Sequence, residues 1–320
     1  MKYLITGGAG FIGSHFSEFL LEQGHEVFAL DNLNTGSMKN IEHLLQNPKY
    51  HFVQGSILDY EVLLNLVGTC DRIAHFAAAV GVKYIIDNPL ESLQINTRGT
   101  ENVLELCAKF QKKVLIASTS EVYGKNENIP LKEEYDRVLG STHIHRWSYA
   151  CSKAFDEFLG LAYVKTKKLP VVIVRFFNTV GPRQTGRYGM VIPRLMSQAL
   201  ENKPMTVYGD GEQTRTFGFV KDVIRAVGAL FDCGAAEGQI YNIGGQEEVK
   251  IIDLAKRIKE KTRSTSEIKL IPYDQAYEKD FEDMRRRVPD CSKLEKAIGF
   301  RPTTGLDQIL DEVVRYYQKG

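Results

Sequence analysis

The chain has 320 residues, of which 43% are hydrophobic and 25% charged, and its net charge is +1. The length allows one large or two modest domains with a substantial core, and the composition is that of an ordinary globular protein. The near-neutral balance excludes a strong field for nucleic acid or a membrane surface, and no apolar run reaches the length of a membrane span. Five cysteines (Cys70, Cys107, Cys151, Cys233, Cys291) are scattered without a Cys-x-x-Cys pair. An odd, dispersed set argues against a disulfide framework or a metal site and for a reducing compartment, with the cytoplasm as the default. The N-terminus does not read as a signal peptide, because Met1 to Thr6 runs straight into a glycine cluster.

Lys2 to Thr6 is a short apolar strand candidate and Ser14 to Glu22 an amphipathic helix candidate. Between them lies Gly7-Gly8-Ala9-Gly10-Phe11-Ile12-Gly13, a G-x-x-G-x-x-G turn in the strand–turn–helix setting that gives such glycines meaning. Gly7 permits the tight turn, Gly10 lets the backbone approach a pyrophosphate, and Gly13 lets helix and strand pack closely. The phosphate is expected on the helix N-terminus, beside Phe11 and Ile12. Glu26 to Leu30 is the second strand, ending at Asp31-Asn32. An acid about twenty residues beyond the glycines accepts the adenosine ribose hydroxyls and repels a 2′-phosphate, so NAD is favoured over NADP. The absence of Arg and Lys from Leu33 to Ser37 agrees.

His51 to Gln54 reads as the third strand, followed by Ser56 and Ile57, which are placed to line an adenine. Arg72 to Phe76 is the fourth and runs into Ala77-Ala78-Ala79, small residues that leave room for a cofactor. Pro89 to Phe110 reads as a long helix and Lys113 to Ala117 as the fifth strand. That strand ends in a polar cluster, Ser118-Thr119-Ser120-Glu121-Val122-Tyr123-Gly124, where open α/β sheets put their chemistry.

Tyr149 to Val164 is the next helix, and on it Tyr149 and Lys153 lie on one face, one turn apart. A phenol with a pKa of about 10 is a poor base at neutral pH. A cation a few ångström away stabilises the phenolate and lowers that value, which makes a base able to take a proton from a sugar hydroxyl. Val171 to Phe176 is the sixth strand. This alternation predicts an α/β fold, a doubly wound parallel sheet of Rossmann type. After Asn178 the pattern changes. Val191 to Glu201 reads as helix, Thr206 to Arg215 as a short strand and turn, Gln239 to Ile243 as a further sheet strand, and Ile251 to Lys261 and Gly305 to Gln318 as helices. The expected division is a cofactor domain over 1–176 that takes in the strand at 239–243. A smaller α/β substrate lobe occupies 177–320.

These motifs, with Arg175-Phe176-Phe177-Asn178, Gly181-Pro182-Arg183 and Tyr208-Gly209-Asp210-Gly211 through Arg215, resemble the extended short-chain dehydrogenases/reductases that modify nucleotide sugars. The resemblance covers nearly the whole chain. It implies Tyr149 and Lys153 as base and helper, Thr119 holding the sugar 4-hydroxyl, and Lys153 and Ser118 close to the cofactor. It also implies Asn178 at the diphosphate, with Tyr208 and Arg215 holding nucleotide and phosphate from the small lobe. The family's shared first step is hydride transfer from sugar C4 to NAD⁺, giving a 4-keto intermediate. The resemblance further implies a homodimer joined by Pro89–Phe110 and Tyr149–Val164, and a UDP-linked substrate; neither nucleic acid nor membrane is expected as a partner.

The 4-ketone can be re-reduced from its other face, can lose water across C5 and C6, or can lose CO2 if C6 is a carboxylate. Thr119-Ser120-Glu121 places a carboxylate beside the sugar and resembles decarboxylases and GDP-mannose dehydratases; a Glu121 simply paired with a nearby arginine is the alternative. Arg146-Trp147-Ser148-Tyr149 resembles bacterial UDP-glucuronate decarboxylases. In those enzymes a run like Phe281 to Pro289 ends in an arginine that faces the sugar, and Arg287 is the matching position, suited to bidentate binding of the C6 carboxylate. Against this, Gln184 to Arg194 and Val80-Gly81-Val82-Lys83 are closer to UDP-sugar 4-epimerases; Lys83, Arg187, Val191 and Arg194 are candidates there for the sugar or diphosphate. Decarboxylation of UDP-glucuronate is therefore preferred, with C4 epimerisation and then 4,6-dehydration as alternatives. A dinucleotide-binding sensor without turnover is the non-enzyme alternative; such relatives usually lose the Tyr or the Lys, and both are present.

Overall fold

The computed structural model describes residues 1–318 except 187–189, 277–281 and 283, and except the side chains of 82, 83, 274 and 276. In chain order the first half is β1 (Lys2–Thr6), α1 (Phe11–Glu22), β2 (Glu26–Asp31), β3 (Tyr50–Gln54), α2 (Tyr60–Thr69), β4 (Arg72–His75), α3 (Val82–Asp87), α4 (Pro89–Phe110), β5 (Lys113–Thr119), α5 (Arg146–Lys167) and β6 (Val171–Phe176). The second half is β7 (Thr179–Val180), α6 (Val191–Leu200), β8 (Met205–Tyr208), β9 (Thr214–Thr216), β10 (Gly218–Phe219), α7 (Val220–Asp232), β11 (Gln239–Ile243), β12 (Glu248–Lys250), α8 (Ile251–Thr262), β13 (Ile268–Ile271), α9 (Tyr273–Ala276), β14 (Arg286–Arg287), α10 (Ser292–Ile298) and α11 (Leu306–Gln318).

Seven strands form one parallel sheet in the order β11-β6-β5-β4-β1-β2-β3. The fold is thus the doubly wound Rossmann-type sheet that the alternating pattern predicts. Its strands are apolar on both faces. Leu4, Val114, Ile116, Val171 and Ile173 pack with Leu66 and Val67 of α2 and Val103 and Leu104 of α4. Their neighbours Tyr3, Ile5, Leu115, Val172 and Val174 point the other way, towards Phe16 and Leu20 of α1 and Val223 and Val227 of α7. This is the period-two alternation of a strand covered on both sides. The second core continues without a break into the small lobe, through Leu195, Val207, Leu254 and Ile309. There β12, β9 and β14 make a three-stranded sheet, and β8 pairs with β13.

The structure differs from the expected elements in two informative places. β5 runs on through Ser118 and Thr119, because these polar residues still pair with Arg175 and Phe176 of β6. Helix α5 starts at Arg146, so that Arg146 and Tyr149 share its first turns. Among the described residues no helix is long and apolar enough to cross a membrane, and no group of three or more His, Cys, Asp or Glu could hold a metal ion.

A buried ion pair fixes the sheet's carboxyl edge. Arg175 on β6 donates from Nε and Nη2 to Glu157 on α5 at 2.8 and 2.7 Å. Ser118 on β5 donates to the same carboxylate at 2.5 Å. The Arg175 guanidinium lies 4.7 Å from the Tyr123 ring, and the Tyr123 hydroxyl donates to Asn242 of β11. Removing one partner of such a pair strands a buried charge, at a cost of about 3–5 kcal/mol. Arg175→Met is therefore expected to lower stability by about 3 kcal/mol or more, read as a lower urea midpoint with an unchanged slope.

Candidate active site

The loop after β1 is packed so tightly that side chains are excluded from it. Gly7 has φ +72°, and a Cβ there would stand 2.8 Å from the Ala77 nitrogen. A Cβ on Gly13 would stand 2.1 Å from the Gly7 carbonyl oxygen. The first turn of α1 is thereby brought against the end of β1, and Gly10, Phe11, Ile12 and Gly13 all line a cleft of about 880 Å³. The first N–H groups of a helix have no carbonyl a turn earlier to bond, so they offer this cleft an anion site. Asp31, at the end of β2, is buried; its carboxylate accepts from the backbone of Ala9 at 3.0 Å and of Leu33 at 2.8 Å. Burial pushes its pKa up, while the Leu33, Ala9 and Gly10 amides pull it down. Asp31 thus braces the glycine loop as well as standing where a ribose would be. Asn32, Ser56, Ile57 and Ala79 line a second cavity of about 60 Å³ with Asp31, Ala77 and Ala78. The open helix end, the acid and the alanine floor fit a dinucleotide.

The cleft continues to the sheet's carboxyl edge, where Ser118, Thr119, Ser120, Glu121, Tyr149 and Lys153 meet. Ser118 is buried, and its hydroxyl is spent on Glu157 rather than turned to the cleft. Thr119 interacts with the Tyr149 phenol through its hydroxyl. The phenol is not acidified by its lysine. Its pKa is pushed above the ordinary value of 10.0, chiefly by burial and then by the Glu121 charge, with Asp156 adding to the rise and Thr119 and Arg287 opposing it. Lys153 instead places its ammonium 2.7 Å from the Asp156 carboxylate, both side chains being almost wholly buried. The expected lowering by the i,i+4 lysine is corrected here: Asp156, one turn further on, neutralises that cation.

Glu121 lies between two arginines, with Arg287 of β14 at 2.7 Å and Arg146 of α5 at 3.1 Å. The arginine pairing expected as the alternative for Glu121 is therefore what the fold builds, and it builds it twice. Arg287 is buried and also approaches the Ser120 hydroxyl at 3.5 Å. The three consecutive arginines divide sharply. Arg285 bonds Asp210 and Arg286 bonds Glu248, both pairs on the exposed side of the small lobe. A strand puts successive side chains on opposite faces, so within β14 only Arg287 turns inward.

From the small lobe, Asn178, Val191, Arg194, Tyr208 and Arg215 also line the cleft. The Arg194 guanidinium stacks 3.8 Å over the Tyr208 ring, and Arg215 is anchored by the Thr214 and Met284 carbonyls at 2.8 Å. Asn178 donates to the Thr216 carbonyl at 3.0 Å. Lys83 is on α3, but its side chain lies outside the described residues, as does Arg187 altogether. Residues not anticipated as part of the site include Arg183, Gln213, Tyr273 and Tyr317, all of which line the cleft. Arg146, which the sequence singled out three residues before Tyr149 without giving it a role, lines it too. Tyr273 and Tyr317 come from helices with no sequence signal of a ligand.

Comparison with known proteins agrees with this geometry. The family profile described as GDP-mannose 4,6 dehydratase matches residues 4–313. The UDP-N-acetyl-alpha-D-glucosaminuronate decarboxylase of Bacillus cytotoxicus is 42% identical, covering 99% of this chain and 98% of that protein. UDP-glucuronic acid decarboxylase 1 of Xenopus tropicalis is 34% identical, covering 99% of this chain and 72% of that protein. The structure of UDP-glucuronic acid 4-epimerase from Bacillus cereus, in complex with UDP-glucuronic acid and NAD, superposes with a TM-score of 0.90 at 30% identity, covering 100% of this chain and 99% of that one.

The raised phenol carries a pH prediction. Folding holds the Tyr149 proton more tightly than the unfolded chain does, so this group contributes a loss of stability as pH climbs above about 10. In the protein alone, the tyrosinate absorbance of wild type minus Tyr149→Phe is expected to appear only above that pH. A Tyr149 signal at pH 8 would show that the lysine dominates after all.

Proposed function

Because the chain belongs to the GDP-mannose 4,6-dehydratase family of extended short-chain dehydrogenases/reductases, we propose that it is an NAD-dependent decarboxylase of a UDP-linked hexuronic acid. The carrying observation is the full-length likeness to hexuronate decarboxylases, taken with two arginines gathered on Glu121 where the cleft meets the sheet's carboxyl edge. Arg287 lies 2.7 Å and Arg146 3.1 Å from that carboxylate, and both arginines are buried and line the cleft. A guanidinium facing the cleft is suited to grip a ligand carboxylate in two places. A neutral hexose offers it no such group. The full-length likeness to a decarboxylase of a 2-acetamido hexuronate makes UDP-N-acetylglucosaminuronate the first substrate to test, with UDP-glucuronate the second.

In this reading residues 1–176 and 239–243 hold the cofactor, through Gly7, Gly10, Gly13, Asp31 and the floor at Ala77–Ala79. Residues 177–320 supply most of the grip on the nucleotide and its phosphates, through Asn178, Arg194, Tyr208 and Arg215. When bound, NAD⁺ supplies the hydride acceptor for sugar C4. Thr119 holds the 4-hydroxyl and Tyr149, once its phenol is ionised, takes its proton, with Lys153 beside it on the helix. Arg287 holds the C6 carboxylate so that, once C4 is a ketone, the C5–C6 electron pair can pass towards the carbonyl as CO2 leaves. A proton then replaces CO2 at C5, and the hydride goes back to C4 as Tyr149 returns the first proton to O4, so that the redox state is restored. The net change is hexuronate plus one proton to pentose plus CO2. C4 epimerisation is the second reading, favoured by the full-length likeness to an epimerase that binds an acidic sugar.

An exposed apolar stripe on α4 and α5 supports the homodimer: Leu90 is 68% exposed, Phe158 61% and Phe155 49%. Contiguous apolar surface of this kind marks an interface, and a twofold axis would pair the stripe with itself. The dispersed, unpaired cysteines support a reducing compartment such as the cytoplasm.

Incubation of the protein with NAD⁺ and each UDP-hexuronate should yield a product lighter by one CO2. Unchanged mass with new stereochemistry at C4 would move the assignment to epimerisation. Arg287→Ala should lower decarboxylation by about 100-fold or more, and Arg287→Lys should not restore it, because an ammonium cannot grip a carboxylate in two places. Phe158→Glu should convert a dimer to a monomer in sedimentation analysis.

A further inference from the structure

The proposed mechanism leaves the buried Asp156 without a role. Asp156 on α5 is fully buried, and its Oδ2 lies 2.7 Å from the Lys153 ammonium. Lys153 is three residues earlier on the same helix and lines the cleft, while Thr100 of α4 reaches the Asp156 side chain. Among the described residues Asp156 is the one carboxylate paired with Lys153. The other ionisable group nearby is His75 of β4, held between Thr6 at 2.8 Å and Thr100 at 3.1 Å. Burial and then the Lys153 charge push His75 down to about 3, so it is neutral and adds no charge of its own. The Thr100 hydroxyl also stabilises the Asp156 carboxylate, as Lys153 does, against burial, which pushes its pKa up.

Such an arrangement is costly without a purpose. A lysine near a reacting phenol would acidify it most if its charge were free. Here an anion in a low-dielectric interior takes up that charge. We infer that Asp156 is a positioning residue for the proposed reaction: acting through Lys153, it fixes the ammonium on the inner side of α5 and withholds part of its charge from the Tyr149 phenol. The inference rests on the reading of Tyr149 as base, and is independent of the later chemistry at C5. The charged groups that face the phenol are Glu121 from the turn after β5, Arg287 from β14, and Lys153 and Asp156 from its own helix. Arg146 in turn pairs with Glu121. Removing the Asp156 charge leaves Lys153 uncompensated, so the phenol should lose its proton more readily.

The test is Asp156→Asn, which keeps the shape and removes the charge. In the protein alone, the tyrosinate absorbance of Asp156→Asn minus Asp156→Asn/Tyr149→Phe should appear about one pH unit or more below that of wild type minus Tyr149→Phe. With NAD⁺ and whichever UDP-sugar turns over, the acid limb of the kcat profile should move to lower pH in the same direction. Asp156→Glu, which keeps the charge, should restore the wild-type limb. Should Asp156→Asn not fold, Asp156→Ser, with room for a water in place of the carboxylate, carries the same expectation. A neutral variant that folds and leaves both the absorbance and the limb unmoved overturns the inference. So does failure of both neutral variants to fold beside a folded Asp156→Glu, which would give Asp156 a purely structural task. A wild type that turns over none of these UDP-sugars, beside a shifted absorbance in Asp156→Asn, would sink the proposed reaction and leave standing only the control of the phenol by the Lys153–Asp156 pair.

Discussion

The carboxyl edge of the parallel sheet is held by one buried ion pair, Arg175 with Glu157, and the rest of the site hangs from it. The pair joins β6 to α5, Ser118 adds β5, and Tyr123 with Asn242 adds β11. Four elements spread between residues 113 and 243 therefore end in register. That single constraint has two consequences. Thr119 to Glu121 emerge from β5 at a fixed height, and α5 presents Tyr149 and Lys153 to the same space. A solvated pair could not do this, because exposed side chains keep their freedom and such pairs contribute little. The buried pair keeps its geometry because both ions would be stranded by any movement.

Around this anchor the charges are arranged in sets rather than scattered. Glu121 takes Arg146 and Arg287; Lys153 takes Asp156; Arg285 and Arg286 are paired outside. The inner sets do different things. The arginine pair holds the Glu121 carboxylate at the cleft. The lysine pair is balanced, which leaves the phenol protonated in the protein alone.

The two lobes are not independent bodies. One apolar core runs from under the sheet into the small lobe, and β11 returns from the second half of the chain to extend the sheet. The cleft is the gap left where that shared core ends. Arg287 illustrates the consequence. It belongs to the small lobe, yet pairs β14 with β9 and reaches Glu121 beside the sheet. A residue that lines the cleft is in this way tied to the strand that carries Arg215.

How much of this could be read from the chain depends on the range of the forces. The glycine turn, Asp31, the alanine floor and the alternating apolar strands are local patterns, and strand or helix geometry converts them directly into place. The bounds of α4, β6 and β11 match the sequence reading for the same reason. The two-residue strands β7, β10 and β14 could not be read, because they exist only as pairings with distant partners. The inward turn of Arg287 against its two solvent-paired neighbours depends on that pairing too. The phenol is the clearest case. Sequence spacing brought a cation one turn from it and so pointed to an acidic tyrosine. Burial, Glu121 and Asp156 reverse that sign, and their weight depends on a water-free interior that only the folded chain creates. By itself the sequence determined the sheet, the cofactor turn and which side chains are available for chemistry. The tertiary structure decided their charge state and their partners, because Coulomb energies depend on distance and on exclusion of water, and neither is written in residue order.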